Sequence, residues 1–303
     1  MDVYSAVTER VIAQMEQGII PWRRPWVGSS DLALSHVTGK PYSLLNQILL
    51  GEAGEFATFK QITEAGGHVK KGSKARLVVF WKLLQGQQQD ENGKPVLDAD
   101  GKPLSREIPL LRAYNVFNLM SDVESLPCRY YKPAELPTTH AQRIEKADQV
   151  FTGYLGRSGV SVRHERQGSA YYSPLSDSIT LPLIDQFEDS AEYYSTAFHE
   201  AAHSTGHSSR LNRSGVTGIA AFGSETYSKE ELTAEISAAG IMNALGLETS
   251  GSFTNSAAYI QNWLKALRND KKLLVGASQR AEKAIALIMG SENTPDQADT
   301  PTP

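Results

Sequence analysis

The sequence predicts an α+β protein, with an N-terminal α+β domain followed by a mainly helical domain that contains a small sheet. The 303 residues are about twice the ~150 residues of a typical domain. The first half mixes helical apolar spacing with runs of β-branched and aromatic residues, whereas helical spacing dominates the second half. The proline-containing stretch SDVESLPCRYYKPAELPTTH lies between the halves and is typical of an interdomain linker. We therefore expect domains at 1–136 and 137–290, and a disordered polar tail at 291–303.

The N-terminal domain is expected to begin with a helix. Val3, Val7, Val11 and Met15 recur at four-residue spacing, which predicts a helix over residues 3–18 that ends before Pro21. Two further helices are predicted in SLLNQILLGEA and FATFKQITEAGG, because glycine closes each segment. The segments ARLVVFWKLL and EIPLLRAYNVFNLM are predicted to be strands, joined by a polar stretch with turn signals.

The C-terminal domain is expected to combine helices with a short sheet. The segment HAQRIEKADQVFTGYLGRSG predicts its first helix, and SAYYSPLSDSITLP alternates as a half-exposed strand does. Three further helical patterns cover residues 189–206, roughly 228–246 and roughly 254–288, the last in one or two pieces.

Charge and composition favour a cytoplasmic protein. The formal net charge is −4, and the single cysteine, Cys128, excludes an internal disulfide framework and suits a reducing compartment. No run approaches the roughly 18 apolar residues of a membrane span. The amphipathic N-terminus contains acidic residues, unlike a signal peptide. We therefore expect a cytoplasmic protein with no membrane partner.

The segment FHEAAHSTGH contains an HExxH motif formed by His199, Glu200 and His203. Positions i and i+4 share one helix face, so both imidazoles can reach one metal ion while the glutamate lies beside them. In catalytic zinc sites this motif supplies two ligands and a general base, and one further protein ligand completes the set. We therefore predict a site for one divalent metal, with Zn²⁺ as the default and Mn²⁺ or Co²⁺ as alternatives.

The residues directly after the motif exclude one class of metallopeptidase. A metzincin would carry a third histidine at position 209, where this chain has Ser209. Gly206 is expected to bend or end the helix. We therefore expect His207 to lie behind the ligands or on the substrate side, and not to bind the metal.

The third ligand is expected in YSKEELTAEISAAGIM. Glu231 and Glu235 lie one turn apart on the same helix face, so both can point towards the metal. We choose Glu231 as the ligand and expect Glu235 to support a ligand histidine. One sequence leaves the register between these two carboxylates open. Glu230, about a quarter turn away, is expected to be an exposed helix charge.

The N-terminal domain carries residues suited to single-stranded DNA. Proteins that bind it combine a cationic groove with aromatic side chains on which bases stack. Residues 60–82 contain six lysines or arginines and one acid, and prolines and arginines flank two tryptophans in PWRRPW, which we expect on the surface. The predicted DNA-binding residues are Trp22, Arg23, Arg24, Trp26, Tyr42, Asn46, Lys70, Lys71 and Lys74.

With these motifs the chain resembles the ArdC-type plasmid antirestriction proteins, whose N-terminal domain is similar to that of TraC-type conjugative primases. The resemblance covers PWRRPW, KPYSLLNQILL, ATFKQITEAGGHVKKGSKARLVVFWK, AYNVFNLMSDVE, YYSPLSDSITLP, FHEAAHSTGHSSRLNR and YSKEELTAEISAAGI. It implies a domain that binds single-stranded DNA, fused to a zincin-like metallopeptidase domain. It further implies protection of plasmid DNA from restriction during conjugation. By the same resemblance, His199 and His203 are ligands, Glu200 is the base, and Glu231 falls where relatives place their third ligand.

Two functions stay open at this point. The first is a bifunctional protein, in which DNA binding concentrates a peptidase near DNA-bound proteins such as host restriction enzymes. The second is a DNA-binding shield whose metal site is structural or vestigial. The intact Glu200 favours the enzyme, because a structural metal site needs no base. The sequence decides neither the peptidase substrate nor the oligomeric state.

Overall fold

The computed structural model shows a mixed α/β protein, which confirms the predicted α+β class. It describes residues 2–23, 32–87, 94–95, 105–132, 140–187, 189–218, 225–247 and 257–291, so nearly all of the predicted tail lies outside the described residues. The helices in these ranges are α1 (Val3–Met15), α2 (Leu44–Leu50), α3 (Phe59–Glu64), α4 (Leu119–Asp122), α5 (His140–Ser158), α6 (Ser190–Ser204), α7 (Ser214–Thr217), α8 (Glu225–Leu245), α9 (Ala257–Asn269) and α10 (Leu273–Met289). The strands are β1 (Ala33–Ser35), β2 (Gly54–Thr58), β3 (His68–Val69), β4 (Arg76–Gln87), β5 (Ser105–Asn118), β6 (Val123–Glu124), β7 (Ser161–Glu165), β8 (Tyr171–Ser173) and β9 (Ser178–Pro182).

The N-terminal half is built on a four-stranded sheet in the order β1-β2-β5-β4. Strand β1 runs parallel to β2, and β5 is antiparallel to both β2 and β4. The two predicted strands form the long β4–β5 pair. The predicted helix in FATFKQITEAGG begins later than expected, because its first residues extend β2. Thr58 sets this boundary by forming a capping box with Gln61, in which each side chain accepts the other's backbone N–H.

The C-terminal half places helices beside a three-stranded sheet in the order β7-β9-β8. The segment predicted as one half-exposed strand is a hairpin of β8 and β9, in which β9 is buried along its length. Helix α6 packs on β8 and β9, α8 packs on α6, and α10 packs on α8. The last predicted helical pattern forms two helices, α9 and α10. In the part of the chain that the structure describes, no helix is long and apolar enough to cross a membrane.

One apolar core joins the two halves. Val11 of α1 and Leu49 of α2 belong to the same buried cluster as Leu232 of α8, Leu267 of α9 and Leu274 of α10. Non-polar surface removed from water contributes about 25 cal/mol per Å², so this contact stabilises both halves together. The predicted boundary at 136/137 lies between the described residues 132 and 140 and stays a prediction.

The first part of the predicted linker is held against the N-terminal half by a buried carboxylate. Glu55 of β2 is 0% exposed and accepts hydrogen bonds from the backbone N–H groups of Arg129 (3.0 Å), Tyr130 (2.7 Å) and Tyr131 (2.9 Å). It also contacts Nδ1 of His36. Burial alone would raise the pKa of Glu55, but these donors hold its pKa below the ordinary value. Residues 129–131 are therefore part of the folded N-terminal half.

Replacing Glu55 is expected to destabilise the protein in a pH-dependent way. Glu55→Gln removes the charge that three backbone donors solvate, and we expect a loss of about 2–3 kcal/mol in the free energy of unfolding at pH 7. Because the folded pKa is depressed, the stabilisation is complete above the ordinary carboxyl pKa and disappears as pH falls through the folded pKa. Urea denaturation at pH 7 and at pH 4 measures this. Glu64→Gln, at an exposed carboxylate of α3, is the control, and a Glu55→Gln deficit that grows on acidification contradicts the account.

Candidate metal centre

Helix α6 presents the HExxH motif from a buried position. Asp189 caps the helix by accepting the backbone N–H of Glu192 at 2.9 Å. Ala197, Ala201 and Ala202 are fully buried on α6, and their small side chains allow neighbouring elements to approach closely. The helix ends at Ser204. The chain turns at Gly206, where a Cβ atom would lie 2.5 Å from Val216, so glycine is required there by contact.

Three side chains direct donor atoms to one point. His203 Nε2 lies 3.1 Å from His199 Nε2, and Glu231 places one oxygen 3.7 Å from His199 Nε2 and the other 3.5 Å from His203 Nε2. One donor atom from each residue lies within 4.8 Å of the others. Two ligands about 2.1 Å from a tetrahedral zinc ion lie about 3.4 Å apart. Two imidazoles and one carboxylate at this spacing therefore fit one divalent cation.

Glu231 and Glu235 occupy different places in the site. Helix α8 crosses α6 so that Glu231 reaches both histidines. Glu235, one turn further along α8, lines the cavity beside them. The hydroxyl of Tyr227, one turn before Glu231, hydrogen-bonds to the Glu231 carboxylate. The structure therefore places Glu231 in the position predicted for the third ligand.

Glu230 is a buried partner of the site, and its predicted exposure is wrong. It is 5% exposed, and its Oε1 atom lies 3.2 Å from His203 Nδ1. Arg213 donates to both of its oxygens, from Nε at 2.9 Å and from Nη2 at 2.6 Å. Arg213 also donates to the hydroxyl of Thr205 and to the carbonyl of Ala202. Helix α8 is rotated about its axis so that Glu231 faces the histidines. The same rotation places Glu230 in the space between α6 and α8, where a buried charge requires partners.

This pairing sets the protonation of the histidine. Burial alone would raise the pKa of Glu230, but hydrogen bonds from Arg213 and His203 lower it to about 2. A charged carboxylate can only accept a hydrogen bond, so His203 donates one from Nδ1. A neutral His203 ring then keeps its lone pair on Nε2, which faces the candidate ligand atoms of His199 and Glu231. Burial alone would lower the pKa of His203, but the hydrogen bond to Glu230 and the nearby carboxylates raise it. Glu230 makes the contact that we predicted for Glu235, whose own supporting role stays a prediction.

Glu200 lines the same cavity as His199 and Glu231. Its side chain is mostly buried, and it accepts a hydrogen bond from the backbone N–H of Tyr172 in the edge strand β8. Burial raises the pKa of Glu200, the negative charge of Glu231 adds to this, and His203 opposes it. A carboxyl group with a raised pKa can accept and return a proton near neutral pH.

The cavity at this site has a volume of about 510 Å³. Its polar side contains His199, Glu200, Glu231 and Glu235, and its apolar side includes Met242. Cavities of a few hundred Å³ hold small ligands or single side chains of a polypeptide. His207 does not join the cluster of donors. It lies in the turn after α6, where its Nδ1 atom is 2.8 Å from the Ser209 hydroxyl, and its predicted role stays a prediction.

Three residues predicted to bind DNA are buried. Trp22 is 2% exposed and packs edge-on against Trp263 at 6.3 Å. Tyr42 is buried and packs on Phe56. Asn46 is 0% exposed and exchanges two hydrogen bonds with the Val79 backbone. The predicted surface position of Trp22 is wrong, and Tyr42 and Asn46 are buried away from the DNA contacts predicted for them, because elements distant in the sequence cover all three.

The basic residues predicted to bind DNA lie in different parts of the N-terminal half. Lys70, Lys71 and Lys74 are exposed around the β3–β4 turn, and Lys70 Nζ donates to the Ser121 carbonyl at 3.0 Å. Arg23 lies in the short 3-10 helix Pro21–Arg23. Arg24 and Trp26 lie outside the described residues. The lysine group therefore stays available as a nucleic-acid surface.

Similar proteins cover the whole chain. A family model described as the N-terminal domain of anti-restriction factor ArdC matches residues 1–117, and one described as a zincin-like metallopeptidase matches residues 145–280. A DNA primase TraC of Escherichia coli is 35% identical over 310 residues, which is 98% of this chain and 28% of the primase. The chain thus spans less than a third of that relative. The uncharacterized protein y4eC of Sinorhizobium fredii is 32% identical over 295 residues, covering 93% of this chain and 90% of y4eC.

Solved structures agree with these relatives. The metal-free antirestriction ArdC protein from the R388 plasmid has a TM-score of 0.69 and 34% identity, covering 95% of this chain and 97% of that one. Its Mn(II)-bound structure also has a TM-score of 0.69, with 32% identity and coverage of 96% and 98%. Because the match extends over nearly the full length of both proteins, this chain belongs to the ArdC family of antirestriction proteins.

Proposed function

We propose that this protein protects incoming plasmid DNA in the cytoplasm by binding single-stranded DNA and by hydrolysing peptide bonds at one divalent metal ion. The observation that carries the peptidase is the convergence of His199, His203 and Glu231 on one point, with Glu200 beside them. Zn²⁺ is the default metal for two histidines and a carboxylate. Mn²⁺ is the alternative supported by the solved relative, and Co²⁺ is a further one.

The residues of the chain divide the chemistry between them. A bound divalent ion would polarise a substrate carbonyl and lower the pKa of water. Glu200 takes the proton of the attacking water and returns it to the leaving amine. Glu230 and Arg213 keep the His203 ring in one orientation. The edge strand β8, whose Tyr172 backbone holds Glu200, offers main-chain groups to an extended substrate by β-augmentation.

The N-terminal half supplies the DNA-binding surface in this proposal. With Trp22, Tyr42 and Asn46 buried, the exposed lysines are suited to phosphates, and the 59% exposed Phe59 of α3 is suited to base stacking. Tethering to DNA would raise the effective concentration of the peptidase near host restriction enzymes, the protein substrates that we propose. TraC primases share this half, which supports DNA as the partner.

Replacing the general base should distinguish between the two candidate functions, the peptidase and the DNA-binding shield. Glu200→Gln keeps the size of the side chain and removes the base, so we expect peptide hydrolysis to fall at least 100-fold while metal content and ssDNA affinity stay unchanged. Antirestriction during conjugation should then fall as well. An unchanged antirestriction level in Glu200→Gln, together with a loss in the Lys70/Lys71/Lys74→Ala variant, would support the shield with a structural metal site.

Removing the carboxylate behind His203 should weaken metal binding. Glu230→Gln is expected to reduce Zn²⁺ affinity by 10- to 100-fold, because Nδ1 loses its charged acceptor and Arg213 loses its partner. Competition with a chromophoric chelator measures this. Glu235→Gln, one turn from the ligand, is the comparison variant, and we expect it to reduce Zn²⁺ affinity less than Glu230→Gln does. If Glu235→Gln weakens binding more than Glu230→Gln, our assignment of the supporting carboxylate is wrong.

The exposed lysines should control ssDNA binding. Lys70/Lys71/Lys74→Ala is expected to weaken binding of an oligothymidylate and to lower the slope of log K against log salt by about 2, at about 0.7 per phosphate contact. Phe59→Ala is expected to weaken binding with little change in that slope, because stacking releases no counterions. The control is Lys146/Lys265/Lys283→Ala, which removes the same charge from exposed sites of the C-terminal helices. Equal effects of the two triple variants contradict a local surface.

A further inference from the structure

Trp22 links the N-terminal half to the metal centre. It lies in the 3-10 helix Pro21–Arg23, within the region matched by the ArdC N-terminal domain, and that helix packs on α8. Yet Trp22 lines the same cavity as His199, Glu200 and Glu231, which belong to the metallopeptidase region. The wall of the candidate active site is therefore built by both halves of the chain.

The cavity has apolar as well as polar lining residues. Besides Trp22, its lining includes Phe187, Met242, Leu247 and Ala238. The titratable lining residues are His199, Glu200, Glu231 and Glu235, with no lysine or arginine among the described lining residues. An acidic side chain would meet carboxylates without a cation to offset them, whereas an apolar side chain would bury its surface. The cavity therefore favours a substrate with an apolar residue next to the bond that is cut.

We propose that Trp22 is a specificity-determining residue of the candidate peptidase site, forming part of the wall against which an apolar substrate side chain packs. This rests on the proposed function, and it makes the N-terminal half a component of the site. The substrate class is a polypeptide with an apolar residue beside the scissile bond. Trp263 packs against Trp22 and belongs to the apolar core, and it is not among the described residues that line the cavity.

Binding of two hydroxamates to the Zn²⁺-loaded full chain tests this without relying on turnover. Acetohydroxamate probes the metal alone, and a peptidyl hydroxamate with a leucine side chain probes the metal and the wall together. We expect wild type to bind the leucine probe more tightly than acetohydroxamate. Trp22→Phe should lose about tenfold of that preference, while its affinity for acetohydroxamate stays within twofold of the wild-type value. Trp263→Phe, the matched core control, should keep all of it.

Titration calorimetry gives the dissociation constants, and tryptophan emission gives a second readout. The leucine probe should shift the emission of wild type and Trp263→Phe but not that of Trp22→Phe. If acetohydroxamate fails to bind wild type, the metal centre itself is refuted and the inference with it. If acetohydroxamate binds but Trp22→Phe keeps the full preference for the leucine probe, the role of Trp22 is refuted and the metal centre stands.

Discussion

The buried ion pair between Glu230 and Arg213 is the interaction on which the candidate metal centre depends. A carboxylate in the interior needs charged partners, and Glu230 has two, Arg213 and His203. Arg213 also binds Thr205 and the Ala202 carbonyl, so one guanidinium joins the end of α6, the following turn and α8. With α8 held in this phase, the next residue along it, Glu231, faces the histidines. The same contact that satisfies a buried charge therefore assembles the donors.

The shared core couples the folding stability of the two halves of the protein. In a chain of two separate modules, DNA binding and hydrolysis would communicate only through a tether. Here α1 and α2 of the N-terminal half pack into the same apolar cluster as α8, the helix that carries Glu230 and Glu231. Trp22 lies in that cluster and also borders the cavity. The N-terminal half thus contributes to the shape of the site as well as to the DNA-binding surface that we propose.

The sequence predicted best where the signal was local. Apolar spacing and glycine closures located most of the helices, and HExxH placed His199 and His203 on one face because four residues make about one helical turn. It predicted poorly where a distant element decides burial. Trp22 between prolines and arginines looked like a surface residue, but α8 and α9 cover it. Asn46 looked like a polar contact for DNA, but it satisfies the backbone of β4.

The sequence by itself determined the fold class, the HExxH motif and the family, because each depends on residue types and on their spacing over a few positions. The tertiary structure decided which carboxylate supports His203, since that depends on how α8 is rotated against α6. Neighbouring helix residues point about 100° apart, so a rotation of about that size would exchange the roles of Glu230 and Glu231. Periodicity along one helix cannot fix that rotation. That rotation is fixed by packing against α6 and by the charge of Arg213, which lies 17 residues from Glu230 in the chain.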